Sequence, residues 1–224
     1  MTSLKILLTA SILALSAGAS LADGYGTNTQ GGVGSQILNS QINLQTDWST
    51  LNANVDTVGG DVVAHGAAAG NLIDITTMND TKVQNKQIVG PNADVGSNVN
   101  LTANNVWGSV GIQNTAVCNG ASVSTDPILT SVKNSQECQA GDPYARVNAN
   151  ISNIAGNAVI QNSALGNSLE ADSNAPNMPI ITHQLNNSGV VSNVNANVFN
   201  TGGSVGLTSS AVGNTAQIIH YSTN

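Results

Sequence analysis

Apolar residues return every second position in short runs along this chain, and the runs themselves recur. Val62 and Ala64, Val110 and Ile112, Ala158 and Ile160, and Val205 and Leu207 each stand two residues apart. Period two is the mark of a strand with one buried face. Further on, after a Gly-Asn pair (Cys118-Asn119 in the second copy), an apolar position comes back at Ile75, Val123, Ala171 and Ile218. The pattern predicts a short strand, a turn at the Gly-Asn pair and another short strand, four times over.

The four copies align without a gap. Asn54, Thr102, Asn150 and Asn197 stand 17 residues before the paired asparagines Asn71, Asn119, Asn167 and Asn214, which follow one another at 48, 48 and 47 residues. Gly60, Gly108, Gly156 and Gly203 form an unbroken column, which predicts a turn needing positive φ or close backbone approach. Ala68, Ala116, Ala164 and Ala211 form another, which predicts an inward site too tight for a larger side chain. Asn162, whose counterparts we read as Gly66, Asn114 and Ser210, is expected to face water. The asparagine columns, including those of Asn52-Ala53-Asn54, Asn148-Ala149-Asn150 and Asn195-Ala196-Asn197, are expected to form inward amide ladders.

One copy cannot bury its own inner face, so copies must stack. The expected fold is therefore all-β, a β-solenoid of four repeats of about 48 residues. That period is long for one coil, so each repeat is read as two coils of about 24 residues, or about eight in all. The five prolines (Pro91, Pro127, Pro143, Pro176, Pro179) and Lys82, Lys86, Lys133 and Arg146 fall between the aligned segments. Proline cannot donate to a ladder, so these stretches are expected to hold loops or bulges, and any local function with them.

Composition narrows the function classes. Only 8% of residues are charged and 3% are aromatic, which leaves a thin core of small aliphatics as the one that can be filled. Residues 1–22 read as a signal peptide: Lys5, the apolar run Ile6–Ala19, then Ser20-Leu21-Ala22. Residues 23–35 read as a glycine-rich flexible leader and 36–224 as a single solenoid domain, with no membrane span after signal cleavage. Cleavage removes one of the five basic residues against twelve acidic ones, taking the formal charge from −7 to −8. That balance argues against nucleic acid and anionic membranes as partners.

Little in the chain suggests catalysis. Cys118 and Cys138, an even pair in an exported chain, are expected to form a disulfide between neighbouring rungs. His65, His183 and His220 show no metal-ligand spacing. Asp56, Asp61 and Asp74 could be carboxylates of a β-helix glycosidase or lyase, but their columns hold Asn, Ser, Gln, Glu or Phe elsewhere, as outward positions do. Trp48 and Trp107 are isolated and suit either a sugar-stacking or assembly contact, or a packed edge. A crystal-binding face would need repeated Thr rows, and Thr76-Thr77 is not repeated. We expect no enzyme, no cofactor and no metal.

The segment Ser209-Ser210-Ala211-Val212-Gly213-Asn214-Thr215-Ala216-Gln217 resembles the curlin-type repeat, and Ala67–Asn71 and Ser163–Ser168 are weaker copies. With the Asn-Ala-Asn motifs, the chain also resembles the holdfast-anchoring surface proteins of stalked bacteria. The resemblance implies a secreted structural protein at the bacterial outer surface, an adhesin or a fibre or anchor subunit. Its expected partners are itself or a homologous surface protein, with exopolysaccharide as a further candidate. The alternative is a carbohydrate-active β-helix enzyme or a polysaccharide-binding solenoid. The C-terminal tail carries Ile218 and Ile219 and no lysine, glutamate or proline to guard it, so we expect assembly through that edge.

Overall fold

The computed structural model describes residues 35–78, 80–125, 130–139, 142–174 and 178–221. They form β1 (Ser35–Asn43), β2 (Asp47–Val58), β3 (Val62–Thr77), β4 (Thr81–Val89), β5 (Val95–Val106) and β6 (Val110–Thr125). The second half of the chain supplies β7 (Thr130–Cys138), β8 (Tyr144–Ile154), β9 (Ala158–Ser173), β10 (Ile180–Asn186), β11 (Val191–Thr201) and β12 (Val205–His220). The expected signal peptide (1–22) and all but the last residue of the expected leader (23–35) lie outside the described residues; Ser35 opens β1.

Each strand pairs in parallel with the strand three places further on. Sheet A holds β1, β4, β7 and β10; sheet B holds β2, β5, β8 and β11; sheet C holds β3, β6, β9 and β12. This all-β arrangement is consistent with a β-solenoid. Two coils per repeat, however, is corrected. Ala68 pairs with Ala116, Ala116 with Ala164 and Ala164 with Ala211, so one whole copy is one rung of three strands, and the described chain has four rungs.

The miscount has a simple origin. The stretches between the aligned segments are themselves strands, which supply sheet A and the opening of the sheet B strands. Lys82 and Lys86 stand on β4, Lys133 on β7 and Arg146 on β8. Pro91, Pro143 and Pro179 sit in the connections, where no ladder N–H is required. Pro127 and Pro176 lie outside the described residues.

Sheet C has the longest strands, 16 residues each, and serves two partners. Its first half packs on sheet B through Val99, Leu101, Val110, Ile112, Ile151 and Ile160. Its second half packs on sheet A through Ile75, Val83, Val123 and Val132. To face both, the strand must change which residues point inward. On β6, Val110, Ile112, Asn114, Ala116 and Cys118 are buried in step, and the sequence then resumes at Asn119, Ala121, Val123 and Thr125. The Gly-Asn pair is therefore not a turn. It marks the change of step inside the strand, where the ladder register skips from Val117 to Asn119.

The glycine column does lie at a turn, between β2 and β3 and their counterparts, and close approach is its reason. A β-carbon on Gly156 would stand 2.7 Å from Gly108 O, and one on Gly203 2.8 Å from Gly156 O. Positive φ falls three residues earlier, at Thr57 (57°), Asn105 (52°), Asn153 (52°) and Asn200 (55°). Asparagine tolerates that left-handed conformation better than most residues, which accounts for three of the four.

The interior is narrow and partly polar. Ala116 and Ala164 are fully buried beside Ala145, and Ala68 is half-buried. Ala211, in the last rung, is exposed. Asn162 is also buried, so its expected water-facing position is wrong. It shares the inward step of Ala164, and the register pairs it with Asn114 and Ser209, not with Ser210. Small neutral residues looked like surface because nothing in their sequence distinguishes a satisfied interior amide from a solvated one.

Candidate functional site

Three rows of amides run up the interior. Asn71 Nδ2 donates to Asn119 Oδ1 (2.9 Å), Asn119 to Asn167 (2.8 Å) and Asn167 to Asn214 (2.8 Å). Each of these amides also donates across the interior to a sheet A carbonyl: Ile88 O, Glu137 O, Leu185 O and, at 3.4 Å, Gln184 O. A glutamine row runs the opposite way, from Gln184 to Gln136 to Gln87 to Gln41, at 2.8–2.9 Å. The third row takes Asn39 to Asn85 to Asn134 to Thr182. Asn114 and Asn162 add a shorter link that reaches the carbonyls of Ser97, Arg146 and Ala145. A buried amide left unpaired costs about 1–3 kcal/mol, so these rows fix both the register and the distance between sheets.

The glutamine row and the Asn85–Asn134 row are absent from the sequence reading. Their signal was spacing: Gln41, Gln87, Gln136 and Gln184 recur at 46, 49 and 48 residues, outside the gap-free window used for alignment.

The Asn-Ala-Asn motifs face outward, contrary to the inward expectation, because the alanine of each takes the inner position of sheet B. Asn100 Nδ2 donates to Asn52 Oδ1 and Asn148 Nδ2 to Asn100 Oδ1, both at 2.6 Å. Asn197 donates to Asn150 at 3.2 Å. These columns line an open groove of about 540 Å³ on the outer face of sheet B. On the same face Trp48 leans over Gly96, where a β-carbon would meet its ring at 2.1 Å, and stacks on Tyr144 with ring centroids 6.3 Å apart. Trp48 remains 53% exposed, and Trp107, beside the β5–β6 turn, 77%.

Cys118 and Cys138 are joined by a disulfide. It does not link neighbouring rungs of one sheet. It crosses the interior from sheet C to sheet A, at the change of step, where the other three copies carry Gly70, Gly166 and Gly213.

At the C-terminal end the inner face of the last rung lies open among the described residues. Leu207 is 53% exposed, whereas Ile160, its partner one rung below, is fully covered. Ile218 continues the inward column of Ala171, and Ile219 the outward column of Asp172. The two are therefore on opposite sides of the edge strand.

A search of protein-family models matches residues 9–223 to holdfast attachment protein D. The chain belongs to the holdfast attachment protein D family. No curated protein and no solved structure matches it. Membership of this holdfast attachment family places the chain at the cell surface or outside the cell, in a structural role connected with the holdfast.

For a holdfast attachment family member, the carboxylates have a structural use. Asp56 Oδ1 accepts from Asn104 and Asn105, and Asp61 Oδ1 accepts from the backbone N–H of Ser109 at 2.7 Å. Both thus finish asparagine or serine columns at the first rung. Asp74 lies on the outer side of sheet C and does not line the groove. His65, His183 and His220 stand on β3, β10 and β12. Among the described residues no three His, Cys, Asp or Glu side chains gather where they could share a metal ion.

Proposed function

We propose that this chain is a fibre or anchor subunit of a surface attachment structure, adding to another copy, or to a homologous surface protein, end to end. The observation that supports it is the state of the ladders at the two ends. Among the described residues, Gln41 lacks the donation that Gln87, Gln136 and Gln184 each make to the rung before, and Gln184 Oε1 lacks the donor that its counterparts receive. Within the same residues, Asn214 Nδ2 has no amide above it, and Asn71 Oδ1 has no donor below. One end therefore offers what the other needs. Stacking β10, β11 and β12 on the β1, β2 and β3 edge of a second copy would set Gln184 against Gln41 and Asn214 against Asn71, in the register already used inside the chain.

Apolar contact adds to this. Leu207, Val205 and Ile218 are exposed at one end, and a following rung would cover them as Ile160, Ala158 and Ala171 are covered now. Open strand edges template further strands, and soluble solenoids need caps to prevent it. Sedimentation of the chain from Ser35 onward tests the proposal. Concentration-dependent association is expected, and Ile218→Lys with Ile219→Lys should hold the chain monomeric. A monomer at every concentration for the unmutated protein rejects it.

A further inference from the structure

We propose a lateral contact between copies of this chain, in which the outer face of sheet A on one copy docks against the outer face of the second half of sheet C on the next. The two faces are opposite sides of one lobe, because these sheets pack on each other through Ile75, Val83, Val123 and Val132. Their charges are opposite too. Lys82, Lys86 and Lys133, three of the five basic residues of an acidic chain, stand exposed on sheet A. Lys133 pairs with Gln84, so it sits one rung away from the midpoint between Lys82 and Lys86. Among the described strand residues of that face only Glu137 is acidic, and Gln139 donates to its Oε1. The other side of the lobe carries Asp74, Glu170 and Asp172 among neutral residues, with no lysine or arginine.

Like charges on neighbouring strands repel, so three clustered lysines are stabilised by an anionic cover. Among the described residues none of the three has a hydrogen-bond or ion-pair partner. The heights of the charged groups suit a second copy. Gln136 Nε2 reaches Ser168 O across the lobe at 2.8 Å, and Val132 packs in one cluster with Val123, the counterpart of Ala171. Lys133 on one side therefore stands level with Glu170 and Asp172 on the other. Displacing a copy by one lobe thickness sets Lys133 of one chain beside Glu170 and Asp172 of the next.

Apolar residues frame the lysines. Leu38 and Ile42 in the first rung, and Ile181 and Leu185 in the last, are exposed on the same face. A dissolved polyanion would leave them wet, whereas a second sheet covers them. Strands of nine residues are about 30 Å long and four rungs span about 19 Å, which offers about 570 Å² per copy. A pair would bury about 1,100 Å², enough for a weak and reversible contact. Because the two faces differ, the contact is heterologous and each copy keeps one face open for another. End-to-end addition lengthens a fibre, and this contact would set fibres side by side.

Sedimentation of a variant with a charged end tests it apart from end-to-end addition. Leu207→Lys with Ile218→Lys charges the open inner face of the last rung and leaves both outer faces unaltered. At about 0.05 M salt this variant should still associate, at least about tenfold more tightly than at about 1 M. In the same background Lys133→Glu and Glu170→Lys should each be monomeric. An equimolar mixture of the two should associate again, since each supplies the face that the other has lost. End-to-end addition shows the reverse pattern: it survives Lys133→Glu alone and is lost when the end is charged. Should Lys133→Glu lose its strand signal in circular dichroism, Lys86→Glu takes its place. A monomer at every concentration in about 0.05 M salt overturns the proposal. Association that neither salt nor Lys133→Glu weakens does the same, as does a mixture that stays monomeric. Association that appears only on adding polyphosphate would assign the lysines to a dissolved polyanion and overturn it as well.

Discussion

Asn119 donates its side-chain amide to Asn167 Oδ1 at 2.8 Å, one rung away and 48 residues along the chain. The same nitrogen reaches Glu137 O in sheet A at 3.0 Å. One side chain thus ties neighbouring rungs together and holds two sheets apart at a fixed distance. Replacing it with alanine orphans the Asn71 amide's upper bond and uncovers two buried acceptors. Asn119→Ala should lower stability by about 1–3 kcal/mol per group left unpaired. Chemical denaturation monitored by circular dichroism measures it, and a change smaller than that of a surface control such as Thr208→Ala would contradict the ladder's role.

The alanine column makes a sharper test because its members differ in environment. Ala164 is fully buried under Ala211 and over Ala116, whereas Ala211 is exposed. Ala164→Leu should cost about 1–3 kcal/mol through overpacking. Ala211→Leu should change stability by less than about 0.5 kcal/mol, as at an open surface. Equal melting shifts for the two variants would show that the last rung is covered.

Glycine substitution follows the same logic along another column. A β-carbon at Gly156 would lie 2.4 Å from Ser109 Oγ and 2.7 Å from Gly108 O, but one at Gly60 meets nothing within 4 Å. Gly156→Ala should destabilise the chain measurably and Gly60→Ala should not. Thermal unfolding of the pair compares them directly.

Burial raises the Asp47 carboxyl above its ordinary value of 3.8, against the opposing hydrogen bond from Asn43. The folded chain therefore keeps this proton to higher pH than the unfolded chain. The group adds no penalty below 3.8, lowers stability as pH rises from there through the raised value, and exacts a constant cost above it. Asp47→Asn removes the ionisation and keeps an acceptor for Asn43. The variant should melt with the unmutated chain at about pH 3 and above it at about pH 7. A variant that melts lower at neutral pH would mean that the charge is stabilising there.

The repeat, the strand period and the tight alanine column are legible in the sequence because each leaves a mark at a fixed interval. Val110, Ile112 and Ala116 alternate as inward residues must, and their counterparts repeat them. The groove is half legible: Asn52, Asn100 and Asn148 stand out as a column, but nothing in Asn-Ala-Asn says which of its residues point outward. Neutral amides carry no such label, since Asn148 on the outer face and Asn162 in the interior each pair with an asparagine amide one rung away.

By itself, then, the sequence determined that the chain is a stack of four equivalent β units, because stacking places equivalent residues against one another and selects the same type in each copy. Tertiary structure alone decided that each unit is one rung of three strands. It also decided that the Gly-Asn pair changes step inside a strand, and that Cys118 reaches Cys138 across the interior. These depend on sheet C facing sheet B with its first half and sheet A with its second. That geometry is set by packing between strands distant in sequence, and local periodicity carries no record of it.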